Sequence, residues 1–328
     1  MMKKTISQCM IVKNEEKNIR RALSWGKDIM CEQIVVDTGS SDRTVEIARE
    51  MGAKIFFFPW INDFAAAKNF AIDQAKGDWI AFLDADESFT PEDTKKIPEI
   101  LEYVGDDVDG LLTGIVDLDE NNNITSGGTM IRFFVNRPDL RYVGKIHEHL
   151  VRKGRSGLHL TDATKQLAFL HTGYQEQEKK DKSKFERNLN IILEILKQDP
   201  ENCDYLGYLG DTYSSDGKNE EAKDAYKKAV AAMPEKLKVY DQRSSYTYTN
   251  LLRVSQCLNA PEAEVEAIYK EAVEKLPKEP DFDCVMGEWY WRKGQYEKTV
   301  QMYELAKAGN LWNSEQGDHY HFHADPDV

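Results

Sequence analysis

Residues 78–89 read DWIAFLDADESF, an apolar run that ends in three carboxylates, Asp84, Asp86 and Glu87. A short apolar run bounded by Gly77 on one side and polar residues on the other has the form of a buried strand. Carboxylates gathered at its C-terminal end repel one another unless a cation joins them. Mg²⁺ and Mn²⁺ bind through one or two carboxylates plus substrate phosphates. In open α/β sheets, ligands collect beyond the carboxyl ends of the strands, where the strand order switches. The alternative is a solvated acidic turn that caps a helix after Pro91, with Ser88, Thr90 and Glu87 as capping groups.

The chain before this stretch alternates strand and helix. TISQCMIV, EQIVVD and KIFFFPW read as strands, and EKNIRRALSWG, SDRTVEIAREMG and DFAAAKNFAIDQAKG as the helices between them. Strict succession of this kind implies parallel strands joined by crossover helices, a Rossmann-like α/β domain. Beyond Asp84 the order loosens. The strand-like segments DGLLTGIVDL, TMIRFFVN and KQLAFLH, with a turn at Asn121–Gly128, predict mixed or antiparallel pairing. Asn123-Ile124-Thr125 has the form of a glycosylation site but reads as a hairpin tip.

From Gln175 onward strand signals vanish and a repeat takes over. Leu206, Leu209-Gly210, Tyr213, Ala222, Tyr226, Ala229 and Pro234 follow the tetratricopeptide pattern. Met286-Gly287, Tyr290, Tyr303 and Ala306 repeat it, and a middle unit keeps Tyr269, Ala272 and Pro277 but has Leu252-Arg253 for the Leu-Gly pair. The expected division is residues 1–175 for the α/β domain and 176–328 for an all-α repeat array. Stacked helix pairs offer a concave surface suited to peptides or proteins, or they brace the first domain.

The 328 residues carry a net charge of −14 and are 41% hydrophobic. The charge has the wrong sign for a protein that mainly grips nucleic acid or anionic lipid, so phosphate binding must be local. Five scattered cysteines, none spaced C-x-x-C, suggest neither a disulfide framework nor a zinc ribbon. No run approaches the roughly 20 apolar residues of a transmembrane helix. A cytoplasmic protein is expected.

Three strand ends carry polar groups or carboxylates: Lys13-Asn14-Glu15-Glu16, then Asp37 with TGSSDRT, then the 84–87 cluster. Such a rim could read a nucleotide. In order, MIVKNEE, VVDTGSSDRT and DFAAAKNFAIDQAKGDWIAFLDADE resemble the family 2 inverting glycosyltransferases of GT-A fold, over most of the first 150 residues. The subgroup most resembled is of the S-glycosyltransferase type, with tetratricopeptide repeats after the catalytic domain. The resemblance implies transfer of a sugar from a nucleoside diphosphate donor, a UDP-sugar, with Mn²⁺ or Mg²⁺ as cofactor. It implies that Asp37 hydrogen-bonds the base and that the backbone from Val12 to Asn14, with Glu15, lines the donor pocket. Asp84 would contact the ribose or a metal-bound water, Asp86 would ligate the metal, and Lys68 would sit near the ribose or diphosphate. Ile11-Val12-Lys13-Asn14 departs from the Pro-x-Tyr-Asn of many relatives, which puts base stacking by a tyrosine in doubt.

A second cluster, RYVGKIHEHL, carries His147, Glu148 and His149. Its i, i+2 histidines exclude the H-E-x-x-H zinc pattern. Related transferases also carry a His-Glu pair here, so His147 and Glu148 are candidates for base, acceptor or metal contacts, with His171 in LHTGY as the rival third metal ligand. Trp60 and Phe64 could approach the donor or anchor a loop. Trp289, Tyr290 and Trp291 could meet an acceptor but fit a repeat core, and His319, His321 and His323 alternate near the C-terminus. The leading expectation is a metal-dependent, inverting glycosyltransferase with a peptide or protein acceptor presented by the repeats. The alternative is a catalytically weak nucleotide-binding scaffold whose repeats hold a protein partner. A nicotinamide oxidoreductase is set aside, because the first strand is not followed by G-x-G-x-x-G.

Overall fold

The computed structural model describes residues 4–172, 182–237, 241–277 and 279–315. The junction expected at Gln175, and His319, His321 and His323, lie outside them. The chain divides into two compact units, Met1–Asp181 and Lys182–Val328.

In the first unit, β1 (Ile6–Val12), β2 (Glu32–Asp37), β3 (Lys54–Phe57) and β4 (Trp79–Phe82) form a parallel array in the order β3-β2-β1-β4. The helices α1 (Ile19–Ser24), α2 (Thr44–Glu50) and α3 (Phe64–Asp73) make the crossovers. β1 and β4 are buried at nearly every position, which is why their sequences read as continuous apolar runs rather than alternating ones. The chain leaves β1 toward β2 on one side and returns to β4 on the other. The strand order therefore switches beside the C-terminal ends of β1 and β4, which places the 84–87 carboxylates at the crevice.

A short strand, β5 (Glu87–Phe89), and α4 (Pro91–Tyr103) follow. Thr90 caps α4 by accepting a hydrogen bond from Asp93 N at 3.2 Å. Glu87 is no cap: it is buried, 2% exposed. The sheet then continues with β6 (Gly110–Leu118), β7 (Ile124–Val135), β10 (Leu160–Asp162) and β11 (Ala168–His171), in the order β4-β7-β6-β11-β5, with β10 also on β6. β7 runs antiparallel to both β4 and β6, the mixed pairing expected. Asn123 ends the β6–β7 turn, its side-chain amide donating to Asp119 at 2.9 Å.

A separate two-stranded hairpin, β8 (Leu140–Val143) and β9 (His149–Arg152), carries the His147-Glu148-His149 segment at its turn. The α3 helix holds this hairpin in place. Asn69 donates to Tyr142 O and accepts from Tyr142 N, both at 2.9 Å, and Phe64 N donates to Lys145 O at 2.8 Å. Trp60 and Phe64 stack edge to face at 4.7 Å at the start of the same helix.

In the described residues the second unit is helical. α5 (Lys182–Gln198) precedes three helix pairs: α6 (Cys203–Ser215) with α7 (Asn219–Ala232), α8 (Gln242–Cys257) with α9 (Glu262–Lys275), and α10 (Pro280–Arg292) with α11 (Tyr296–Glu315). The small residues of the repeat pattern sit where helices meet. A Cβ added at Gly210 would lie 2.4 Å from the Tyr226 ring, and one at Gly287 3.2 Å from Tyr303. Tyr226, Tyr248, Phe282 and Met286 are buried in one core. Trp289 and Tyr290 join it, whereas Trp291 is exposed.

Candidate active site

The β4 strand delivers Asp84 and Asp86 just past its end, and each is held by different partners. Asp84 accepts from the Arg132 guanidinium at 3.2 Å and lies 4.0 Å from Lys68 Nζ. Its backbone N–H donates to Glu87 Oε2 at 3.0 Å, which folds the acidic turn on itself. Burial alone would raise the Asp84 carboxyl, but Lys68, Arg132 and His171 outweigh it and hold the group below the usual carboxylate range. Asp84 is thus a fixed anion, with its side chain 41% exposed.

Arg132 reaches this cluster because the β6–β7 register shifts between Leu111 and Leu112, leaving Arg132 between the paired Ile131 and Phe133. Such irregularities re-aim a side chain. Its guanidinium pairs with buried Glu87 as well as Asp84 and lies over the Phe169 ring at 5.2 Å. Burial pushes Glu87 up to about 7 and the charge of Asp84 adds to it, against the pull of Arg132. Among the described residues, Arg132 Nε is buried with no hydrogen-bond partner.

Lys68, on α3, is also buried, 5% exposed. Its ammonium pairs with Glu148 at 2.7 Å and lies 5.0–5.2 Å from the centroids of the Phe82 and Tyr142 rings. Burial opposes its charge, yet Asp84 and Glu148 raise its pKa above the ordinary lysine value. The cation therefore joins the acidic turn to the hairpin. Within the His-Glu-His segment it is Glu148 that turns inward. His147 and His149 are exposed, and His147 has a left-handed backbone, φ 53°.

Asp86 faces a different group. His171 Nε2 lies 3.4 Å from Asp86 Oδ2, and His171 Nδ1 is 2.8 Å from Asp117 Oδ1. Burial disfavours the charged ring, but Asp86 and Asp117 overcome it and push His171 up to about 9. Around an octahedral ion with bonds of about 2.1 Å, neighbouring ligands stand about 3 Å apart, close to the spacing of Asp86 Oδ2 and His171 Nε2. One carboxylate and one imidazole, with phosphate oxygens to complete the shell, suit Mn²⁺ or Mg²⁺. Among the described residues no group of three or more His, Cys, Asp and Glu forms a ready-made cage. Asp86 and His171 are brought together, and His147 does not complete a cage with them.

At the β1–β2 rim, Asp37 is buried and accepts from Gly39 N and Ser40 N at 3.0–3.1 Å. Gly39 has φ +110°, which a side chain would strain. Val12 O accepts from both Thr38 N and Thr38 Oγ1. Asn14, at φ 59°, donates through its N–H to Ser40 Oγ and accepts from Ser41 N, while Glu15 N donates to Thr44 Oγ1. Four of the residues named for the donor, Val12, Asn14, Glu15 and Asp37, thus stitch the first two strand ends into one loop cluster. Sequence reasoning missed Arg132 and Asp117, both acids or bases interrupting apolar strands, IRFF and GIVDL. That interruption was the available signal.

Residues 7–155 match the family model "Glycosyl transferase family 2". The SPbeta prophage-derived glycosyltransferase SunS of Bacillus subtilis (strain 168) is 33% identical over 231 residues, 69% of this chain and 53% of that protein. The TPR repeat-containing protein Synpcc7942_0270 of Synechococcus elongatus is 40% identical over 143 residues, 44% of this chain and 34% of that one. Glucosyl-3-phosphoglycerate synthase from Mycobacterium tuberculosis, solved with Mn²⁺, UDP and glucosyl-3-phosphoglycerate, is 21% identical over 36% of this chain and 44% of that chain, with a TM-score of 0.28. The first unit is a family 2 glycosyltransferase domain of GT-A fold. The chain spans about half the length of SunS and a third of the Synechococcus protein. Among the described residues no helix is long and apolar enough to cross a membrane.

Proposed function

We propose that this chain is a metal-dependent, inverting glycosyltransferase that moves a sugar from a UDP-sugar to an acceptor. In this reading residues 1–175 are the transferase domain, and residues 176–328 a tetratricopeptide repeat domain that presents a peptide or protein acceptor. The observation that carries it is the division of labour at the end of β4: Asp84 is pinned by Lys68 and Arg132, while Asp86 faces His171.

Asp86 and His171 would hold the metal, and Asp84 would face the ribose or a metal-bound water. A divalent ion there would neutralise the charge that develops on the departing nucleoside diphosphate. Val12, Asn14, Glu15 and Asp37 would receive the donor's base at the β1–β2 rim. Lys68 serves both halves of the site from within, compensating Asp84 and orienting Glu148. Glu148, with His147 beside it in the turn, takes the acceptor's proton. The acceptor's heteroatom bonds to the anomeric carbon as the bond to the diphosphate oxygen breaks, and the electron pair leaves with UDP. A single displacement inverts the anomeric centre.

The test is titration calorimetry with UDP, GDP and CDP and their sugar conjugates, with and without Mn²⁺. Metal-dependent binding selective for UDP-sugars is expected. Absence of binding to every nucleotide would overturn the reading and leave a scaffold whose repeats hold a partner.

A further inference from the structure

We propose that Asp117 is a positioning residue for the metal: anchored by Ser126, it fixes the His171 imidazole with its proton on Nδ1 and so presents Nε2 to a divalent cation beside Asp86. This rests on the reading of Asp86 and His171 as ligands. It concerns a residue two positions removed from the ion.

The sheet builds the arrangement. β11 runs parallel to β6 with His171 opposite Asp117, and β7 runs antiparallel to β6 with Ser126 opposite the same aspartate. Directly opposed residues on neighbouring strands bring their side chains together. Asp117 Oδ1 meets His171 Nδ1 at 2.8 Å, and the Ser126 hydroxyl donates to Asp117 Oδ2. The Asp117 backbone carbonyl accepts from Thr125 Oγ1 at 3.2 Å. The Asp117 side chain is only 11% exposed, so its position is set by these neighbours rather than by solvent.

A carboxylate only accepts hydrogen bonds, so the ring nitrogen facing it must carry the proton. Nε2 faces the Asp86 carboxylate and by the same rule carries a proton, which a divalent cation would displace while the Asp117 bond keeps the other on Nδ1. Metal-bound histidines commonly have such a carboxylate behind the ring, and its loss weakens metal binding about 10–100-fold. Asp117→Asn makes the test sharp, because the shape is kept while the amide N–H can donate to Nδ1. The ring proton would then move to Nε2 and cover the lone pair the metal needs.

The experiment uses the full chain with UDP present and measures the Mn²⁺ dissociation constant by electron paramagnetic resonance for wild type, Asp117→Asn, Ser126→Ala and His171→Ala. The expected result is a rise of about 10–100-fold for Asp117→Asn, a smaller rise for Ser126→Ala, and unchanged metal-free UDP affinity in both. Nitrogen-15 histidine spectra with Mg²⁺ and UDP should show the His171 proton on Nδ1 in wild type and on Nε2 in Asp117→Asn. If His171→Ala loses Mn²⁺ while Asp117→Asn and Ser126→Ala keep the wild-type constant, the role of Asp117 is overturned and the metal site stands. Wild type that binds no Mn²⁺ in the presence of UDP overturns the functional reading itself.

Discussion

Lys68 Nζ and Glu148 Oε1 lie 2.7 Å apart, although one belongs to a crossover helix of the parallel half of the sheet and the other to the turn of a separate hairpin. The pair is mostly buried, with side chains 7% and 13% exposed. Removing one partner of a buried pair leaves an uncompensated charge, which costs about 3–5 kcal/mol. Lys68→Met should therefore destabilise the protein by about 3 kcal/mol in urea denaturation. The double variant Lys68→Met with Glu148→Gln should recover part of that loss. A loss below about 1 kcal/mol in the single variant would mean the pair behaves as a surface one.

Asp86 has a lighter structural role than Asp84, since neither Lys68 nor Arg132 pairs with it. Asp86→Ala should abolish metal-dependent donor binding in calorimetry and leave the far-ultraviolet dichroism of the helical unit unchanged. Donor affinity equal to wild type in Mn²⁺ would remove Asp86 from the site.

Gly210 permits the first helix pair of the repeat unit to close. Alanine is worth about 1 kcal/mol more than glycine in a helix interior, so on propensity alone Gly210→Ala would stabilise. The added Cβ would meet the Tyr226 ring at 2.4 Å, however, and Tyr226 is itself fixed by donating to Asp211 at 2.8 Å. Overpacking of this kind costs about 1–3 kcal/mol. Net destabilisation is the expected outcome in chemical denaturation, and a stabilised variant would show that the ring yields freely.

Glu279, at the start of α10, supplies a pH dependence. Burial, with Asp281 adding, pushes its carboxyl from 4.5 up to about 7, against the hydrogen bond with Ser245. Between those values the folded chain keeps a proton that the unfolded chain releases. Stability from this group therefore falls as pH rises from about 4.5 to about 7. Glu279→Gln should flatten that slope and stabilise the protein at pH about 8 by about 1 kcal/mol. Thermal melts across that range provide the measurement, and an unchanged slope in the variant would exclude Glu279 as its source.

The parallel half of the sheet was legible because its strands are buried on both faces and bounded by polar turns, and the Asp84–Asp86 pair stood out at the end of such a run. The turn itself was less legible. Glu87 read as a possible helix cap, yet its role depends on Arg132, whose approach requires a register shift in a distant strand pair. Strands β5, β8, β9 and β10 went unread because ESF, LRYV, HLVR and LTD lie in no continuous apolar run and draw their stability from partners rather than from their own pattern. In the His147-Glu148-His149 segment the residue types marked a site, but which member turns inward depends on the left-handed turn at His147 and on the bonds from α3 to the hairpin.

By itself the sequence determined the two kinds of architecture, the place of the carboxylates at a strand end and the helical repeat with its small residues. These follow from local periodicity and from side-chain chemistry, which each segment carries wherever it lies. Only the tertiary structure decided who faces whom: Lys68 with Glu148, Arg132 with Glu87 and Asp84, and His171 with Asp117 and Asp86. Those partnerships join residues far apart in the chain. Burial makes an uncompensated charge costly, so each charge is settled by whatever partner the strand register brings within reach.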